Sequence, residues 1–179
     1  MGKRKNSYDN ILNAAEAVVL KVGAAHMTLD SVARKAGVSK GGLLYNFPTK
    51  EILLKAMVSR LIQCFEEERI KKIAKMKAEP AREIKARILS MLARNRRTDQ
   101  SAAALLAAIA CNPKLVEPIR KDGLKFMAEI TTPALGFERK AIILLAAVGL
   151  HLQEILQVSC LNDKQRKSVI AELLRLADA

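Results

Sequence analysis

Tryptophan is absent from this 179-residue chain, tyrosine and histidine occur twice each, and phenylalanine occurs four times. No Ser/His/Asp or Cys/His grouping appears and no glycine-rich phosphate loop follows a strand, so enzyme chemistry is not expected. Cys64, Cys111 and Cys160 stand far apart, without CxxC spacing and without a histidine at metal-ligand distance. That excludes a disulfide framework or a zinc site, implies no metal or cofactor, and fits reduced thiols in a cytoplasmic protein. Long apolar runs are missing too. The strongest, "AIILLAAVGLHL" at 141–152, is flanked by Glu138, Arg139, Lys140 and Gln153 and is too short for a membrane span. The start, "MGKRKNSYDN", has no apolar segment behind it of signal-peptide length.

Strand-like β-branched runs are also lacking, whereas Ala, Leu, Ile, Lys, Arg and Glu dominate, which points to an all-α protein. Acidic residues are outnumbered, 18 against 31 basic ones, for a net charge of +13. Residues 1–60 and 61–97 carry +6 each and residues 98–179 only +1. A polyanionic partner for the N-terminal part follows from that asymmetry, while the 61–97 excess also serves solubility.

Caps and apolar spacing divide the chain into about nine helices. Ser7 is placed to cap the first, with Ile11, Leu12, Ala15, Val18, Val19 and Val22 on one stripe and Gly23 at its end. Thr28 caps a short second helix, with Ser31 where a full capping box has glutamate. Leu29, Val32, Ala33 and Ala36 form its inner face, Gly37 stops it, and Val38 plugs the turn. Ser39 caps "KGGLLYN". Thr49 caps a long helix reaching about Lys77, with Ile52, Leu53, Ala56, Met57, Leu61, Ile62 and Phe65 inward. Pro80 opens a helix ending near Arg97, and "TDQSAAALLAAIA" forms another after Thr98 or Asp99. Asn112-Pro113 starts one with Leu115, Ile119, Leu124, Met127 and Ile130 inward. "TTPALGF" breaks the chain before the last two helices, about 138–158 and 163–177.

Thr28 to Asn46 has the form of a helix-turn-helix, whose second helix enters the DNA major groove by its N-terminal residues, here Ser39, Lys40, Gly41 and Gly42. Each glycine inside a helix costs about 1 kcal/mol relative to alanine. Their use here is close approach of the helix backbone to base edges or phosphates.

"TLDSVARKAGVSKGGLLYNFPTKEILL" strongly resembles the DNA-binding segment of TetR-family transcriptional regulators, and "GGLLYNFP" is similar to the branch of drug-responsive repressors. The resemblance implies a three-helix DNA-binding domain at 1–50 and a helical effector-binding and dimerisation domain at 51–179. It implies that Thr28 contacts phosphate, that Lys40, Gly41 and Gly42 read bases, that Tyr45 and Asn46 touch phosphates, and that Lys50 clamps the DNA backbone. Lys3, Arg4 and Lys5 form a basic arm for an adjacent groove. Leu44 stands where relatives often have tyrosine, and Asn46, which cannot become charged, where they have histidine. Lys40 is the one long side chain at the reading positions, so specificity is expected to rest partly on DNA shape.

The family's C-terminal part implies a homodimer through the last two helices, where Ala146, Ala147 and Gly149 permit close approach, and a small-molecule pocket between the fifth and eighth helices. Met91, Phe126, Met127 and His151 are the candidate lining, with Glu129 or Glu154 as acidic partners for a cation. The same Met, Phe and His residues also suit a plain core. With few aromatics, a mainly apolar effector is expected. The resulting function is a dimeric repressor on a palindromic double-stranded DNA site, released when an effector tilts the long fourth helix. Two alternatives are a thiol-based redox sensor, disfavoured because its cysteines are expected to be scattered and buried, and an architectural protein that coats DNA without preference.

Overall fold

The computed structural model of the chain describes residues 2–129 and 135–178, and the side chains of these except 2–6, 97 and 129. Ile130 and residues 131–134 of the expected break lie outside the described residues, as do the side chains of Lys3, Arg4, Lys5 and Glu129.

Among the described residues the fold is all-helical: α1 (Gly2–His26), α2 (Leu29–Ala36), α3 (Lys40–Asn46), α4 (Lys50–Ile73), α5 (Arg82–Met91), α6 (Arg96–Cys111), a 3-10 turn (Pro113–Val116), α7 (Glu117–Glu129), α8 (Phe137–Ile155) and α9 (Asp163–Ala177). No described helix is long and apolar enough to cross a membrane. Where caps were legible, the helices begin as expected. The amides of Ser31, Gly42 and Ile52 donate to the side chains of Thr28, Ser39 and Thr49, and the last helix is capped in the same way by Asn162, which accepts from the Gln165 amide. Helix ends moved more. α1 begins at Gly2, so Ser7 lies inside it and is not its cap. α5 stops at Met91 and α6 starts at Arg96, earlier than the expected Arg97 and Thr98.

The helices pack into two units, one holding residues up to Ile62 with Arg96–Asp122, the other Gln63–Asn95 with residues from Gly123 on. α4 and α7 therefore contribute to both. In the first unit Ile11, Leu12, Ala15 and Val19 of α1 pack with Val32 and Ala33 of α2, Leu43 of α3, Leu53, Leu54, Met57 and Val58 of α4, and Leu105 and Ala108 of α6. The first stretch of α4 and the second half of α6 thus share the core of the helix-turn-helix, beyond the boundary at residue 50.

Three inward faces differ from the spacing argument. On α4, Leu54 and Val58 are buried while Ile52 is 44 % exposed. On α7, Phe126 is buried while Ile119 and Leu124 are exposed. On α1, Val22 is exposed, because Gly23 at φ 79°, ψ 156° breaks the helical path beside it. Those angles suit only glycine.

The second unit buries Ile84, Ile88 and Leu92 around α5, Phe126 of α7, Ile143, Ala147 and Leu150 of α8, and Leu173 and Ala177 of α9. Ala147 is thus an inner-face residue rather than part of an outward small-residue surface. All three cysteines are exposed, contrary to the burial expected of them. Cys64 lies on the outer side of α4, Cys111 is the last residue of α6, and Cys160 sits in the loop between α8 and α9.

Candidate nucleic-acid interface

The geometry of α2 and α3 is set by interactions within a few residues. Thr28 and Ser31 complete a reciprocal capping box: the Ser31 amide donates to Thr28 Oγ1 at 3.1 Å and the Thr28 amide to Ser31 Oγ at 3.2 Å. Serine thus does what glutamate does in the usual box. Gly37 adopts the left-handed conformation, φ 66°, and its amide returns to the last turn of α2. Val38 follows half-buried against the core. Two contacts then tie the motif to the rest of the unit. Asn10 Nδ2 donates to the Ala36 carbonyl at 2.8 Å, and the Tyr8 ring lies 4.8 Å from that of Phe47, which is fully buried after α3.

This frame leaves the start of α3 bare. A Cβ on Gly41 would meet nothing within 4 Å, whereas one on Gly42 would come to 3.2 Å from Ser39 Oγ, the capping oxygen. The two glycines therefore differ in role. Gly42 leaves room for its own amide to reach the cap, and Gly41 leaves the outer surface without a side chain. Both lie within the helix, not in the turn before it.

Lys40 is exposed, and its ammonium meets both oxygens of the Asp30 carboxylate, at 3.0 and 3.4 Å. Tyr45 is 69 % exposed, and Asn46 is half-buried with its Nδ2 donating to the Gly42 carbonyl at 3.0 Å. Lys50 Nζ donates to the Ala25 carbonyl at 2.7 Å, next to the Gly23 kink. Thr28, Ser39, Lys40, Gly41, Gly42, Tyr45, Asn46 and Lys50 thus all lie within the first unit, on or beside two short helices. Beside Lys50, the Lys55 ammonium and the Asn112 amide hold the Glu51 carboxyl below the usual carboxylate range.

Several residues that organise this unit carried no local signal. Asp30 is one, ten positions from the lysine it pairs with. Arg60 is another: its guanidinium donates to Asn13 Oδ1, to the Leu12 carbonyl and, at 2.9 Å, to Glu16, which also accepts from Ser101 Oγ at 2.6 Å. α1, α4 and α6 are joined through one carboxylate. An open cavity of about 330 Å³ is lined by Ala24, Lys50, Glu51, Ala108, Cys111 and Asn112, among others.

The candidate effector residues all belong to the second unit. Phe126 is buried there with the Arg87 guanidinium 4.8 Å above its ring. Met91 packs against the same core, and His151 meets Phe65 edge-on at 5.5 Å. The carbonyl of Met127 accepts from Lys140 Nζ at 2.8 Å, a buried lysine that spacing had not singled out. Glu154 is engaged by Arg166 through two guanidinium nitrogens, so it is not available as a bare acidic partner for a cation.

Among curated proteins none matches the chain. The family described as bacterial regulatory proteins, tetR family, matches residues 11–57, and the tetracyclin repressor-like C-terminal domain matches residues 81–178. Solved structures of similar fold include a TetR-family transcriptional regulator from Rhodococcus sp. (16 % identity, 98 % of this chain and 100 % of that one, TM-score 0.76). The multidrug binding protein EbrR in complex with imidazole is also similar (20 %, 97 % and 93 %, 0.69). So is the fatty acid degradation regulator FadR from Bacillus halodurans (15 %, 100 % and 96 %, 0.64). At such identities these likenesses establish the fold alone. The family match covers more than half of the chain, and its N-terminal part falls on the capped helix pair described above. The chain therefore belongs to the TetR family of transcriptional regulators and carries their helix-turn-helix DNA-binding domain.

Proposed function

We propose that the protein is a cytoplasmic repressor that binds a palindromic operator as a homodimer and is released by a small, mainly apolar effector. The observation that carries the DNA-binding part is the bare start of α3, where Gly41 faces open space beside exposed Lys40. In this reading Lys40, Gly41 and Gly42 face base edges, with Lys40 donating to guanine O6 or N7. Thr28, Tyr45, Asn46 and Lys50 hold the phosphates, and Lys3, Arg4 and Lys5 supply the arm. A dimer is supported by α8, which buries Ile143, Ala147 and Leu150 on one side yet leaves Ile142, Leu145 and Val148 exposed on another, with Val169 exposed on α9. Met91, Phe126, Met127 and His151 remain the candidate effector residues, with an apolar ligand favoured by the core they adjoin.

The test is a footprint of the purified protein on DNA upstream of its own gene, titrated with salt. A protected inverted repeat supports the dimeric repressor. Diffuse protection that fades uniformly with salt supports the architectural reading instead. Gly41→Ala sharpens the claim for α3. The substitution fills open space and improves helix propensity, so the free protein is expected to gain about 1 kcal/mol in urea unfolding. The same methyl group obstructs approach to the groove, and operator affinity is expected to fall ~10-fold, about 1.4 kcal/mol.

Exposure of the three cysteines gives the thiol-sensor reading a specific basis, strongest at Cys111, which lines a cavity. Mild peroxide would then abolish operator binding, reductant would restore it, and Cys111→Ser would be resistant. If the wild type binds DNA unchanged after peroxide, that reading is finished.

A further inference from the structure

The pairing of Lys40 with Asp30 joins a position expected to read bases to an acid on the neighbouring helix. In helix-turn-helix docking, the first helix of the pair crosses the DNA backbone while the second enters the groove. Asp30, in the first turn of α2, would then face phosphates, and so would an unpaired Lys40. Both side chains are largely exposed, at 62 % and 66 %, so their ion pair is weakly held and exchangeable. Asp30 takes no part in the capping box, which Thr28 and Ser31 complete by themselves.

We propose that Asp30 is a specificity-determining residue, whose carboxylate occupies Lys40 on non-cognate DNA and yields it only to a base edge. The claim rests on the DNA-binding reading above. Physically, a lysine already paired with a carboxylate releases few counterions when it meets a phosphate, so it adds little to sequence-independent affinity. A guanine edge offers two acceptors, O6 and N7, at a fixed place. That site can replace the carboxylate, whereas one phosphate gains little over it and brings a negative charge near Asp30. The acid thus lowers affinity for arbitrary sequences more than for the correct one.

The experiment compares the full-length wild type with Asp30→Asn, Asp30→Glu and the double variant Asp30→Asn/Lys40→Met. Each is titrated across salt concentrations on a random-sequence duplex and on a duplex selected by the wild type from random DNA. For Asp30→Asn, binding to random duplex is expected to tighten about tenfold and its salt slope to steepen by about one, with the selected duplex changed less than about threefold. Asp30→Glu should restore the wild-type values, and Lys40→Met should cancel the added slope. An unchanged slope on random duplex overturns the proposal, as does an equal loss on both duplexes, which would mean a merely structural aspartate. If the wild type selects no sequence at all, the repressor reading fails, yet the slope on random duplex still decides the role of Asp30.

Discussion

Replacing Leu145 with glutamate is expected to leave a folded monomer whose operator affinity is at least ~100-fold weaker than the parent's. The side chain is 71 % exposed on α8, so a charge there disturbs nothing packed within the chain. Across a two-fold axis the same surface patch meets itself, and each glutamate would face an apolar surface or its own mate. A desolvated, unpaired charge is tolerated poorly in such a place. Once the dimer is lost, the two half-sites are no longer bound through one linked molecule. The gain from linkage amounts to roughly 10²–10⁴-fold when both modules engage together. Sedimentation gives the oligomeric state, circular dichroism the fold, and a binding titration the affinity. A Leu145→Glu variant that stays dimeric would show that this face of α8 is not the interface.

Removing the Arg60 side chain should cost the first unit about 2–3 kcal/mol of stability in a urea titration. The figure sits below the ~3–5 kcal/mol for breaking a fully buried pair. Here the Glu16 and Arg60 side chains keep 14 % and 24 % exposure. Without Arg60, the Glu16 carboxylate retains the Ser101 hydroxyl but loses the guanidinium 2.9 Å away, and the Asn13 oxygen and Leu12 carbonyl lose a donor as well. Arg60→Ala combined with Glu16→Ala should be less destabilised than the sum of the single variants, because both changes remove the same shared ion pair. Strict additivity would mean that the pair contributes nothing beyond its separate packing. Neither residue lies in the helix-turn-helix, so any loss of DNA binding should follow the folded fraction.

The chain by itself determined what depends on neighbours within a few residues. Thr28, Ser39 and Thr49 were legible as caps because a cap acts on an amide three positions away. Gly37 was legible as a helix stop because its left-handed backbone is a local need. Those signals sufficed for an all-helical fold, for the helix-turn-helix and, through its motif, for the family.

Only the tertiary structure decided which apolar face turns inward. "ILL" at 52–54 is three apolar residues in succession, spread around about 200° of helix. Spacing alone therefore cannot choose between Ile52 and Leu54, and packing against α1 and α6 selected Leu53, Leu54, Met57 and Val58. The same ambiguity in α7 hid the exposure of Ile119 and Leu124. Cysteine exposure, the Lys40–Asp30 pair and the carboxylate shared by Arg60 and Ser101 were hidden for a related reason. These pairs join residues 10, 44 and 85 positions apart, and such distances are closed by the fold rather than by the helix repeat. Local chemistry drew the helices; the packing of one against another chose their faces and their partners.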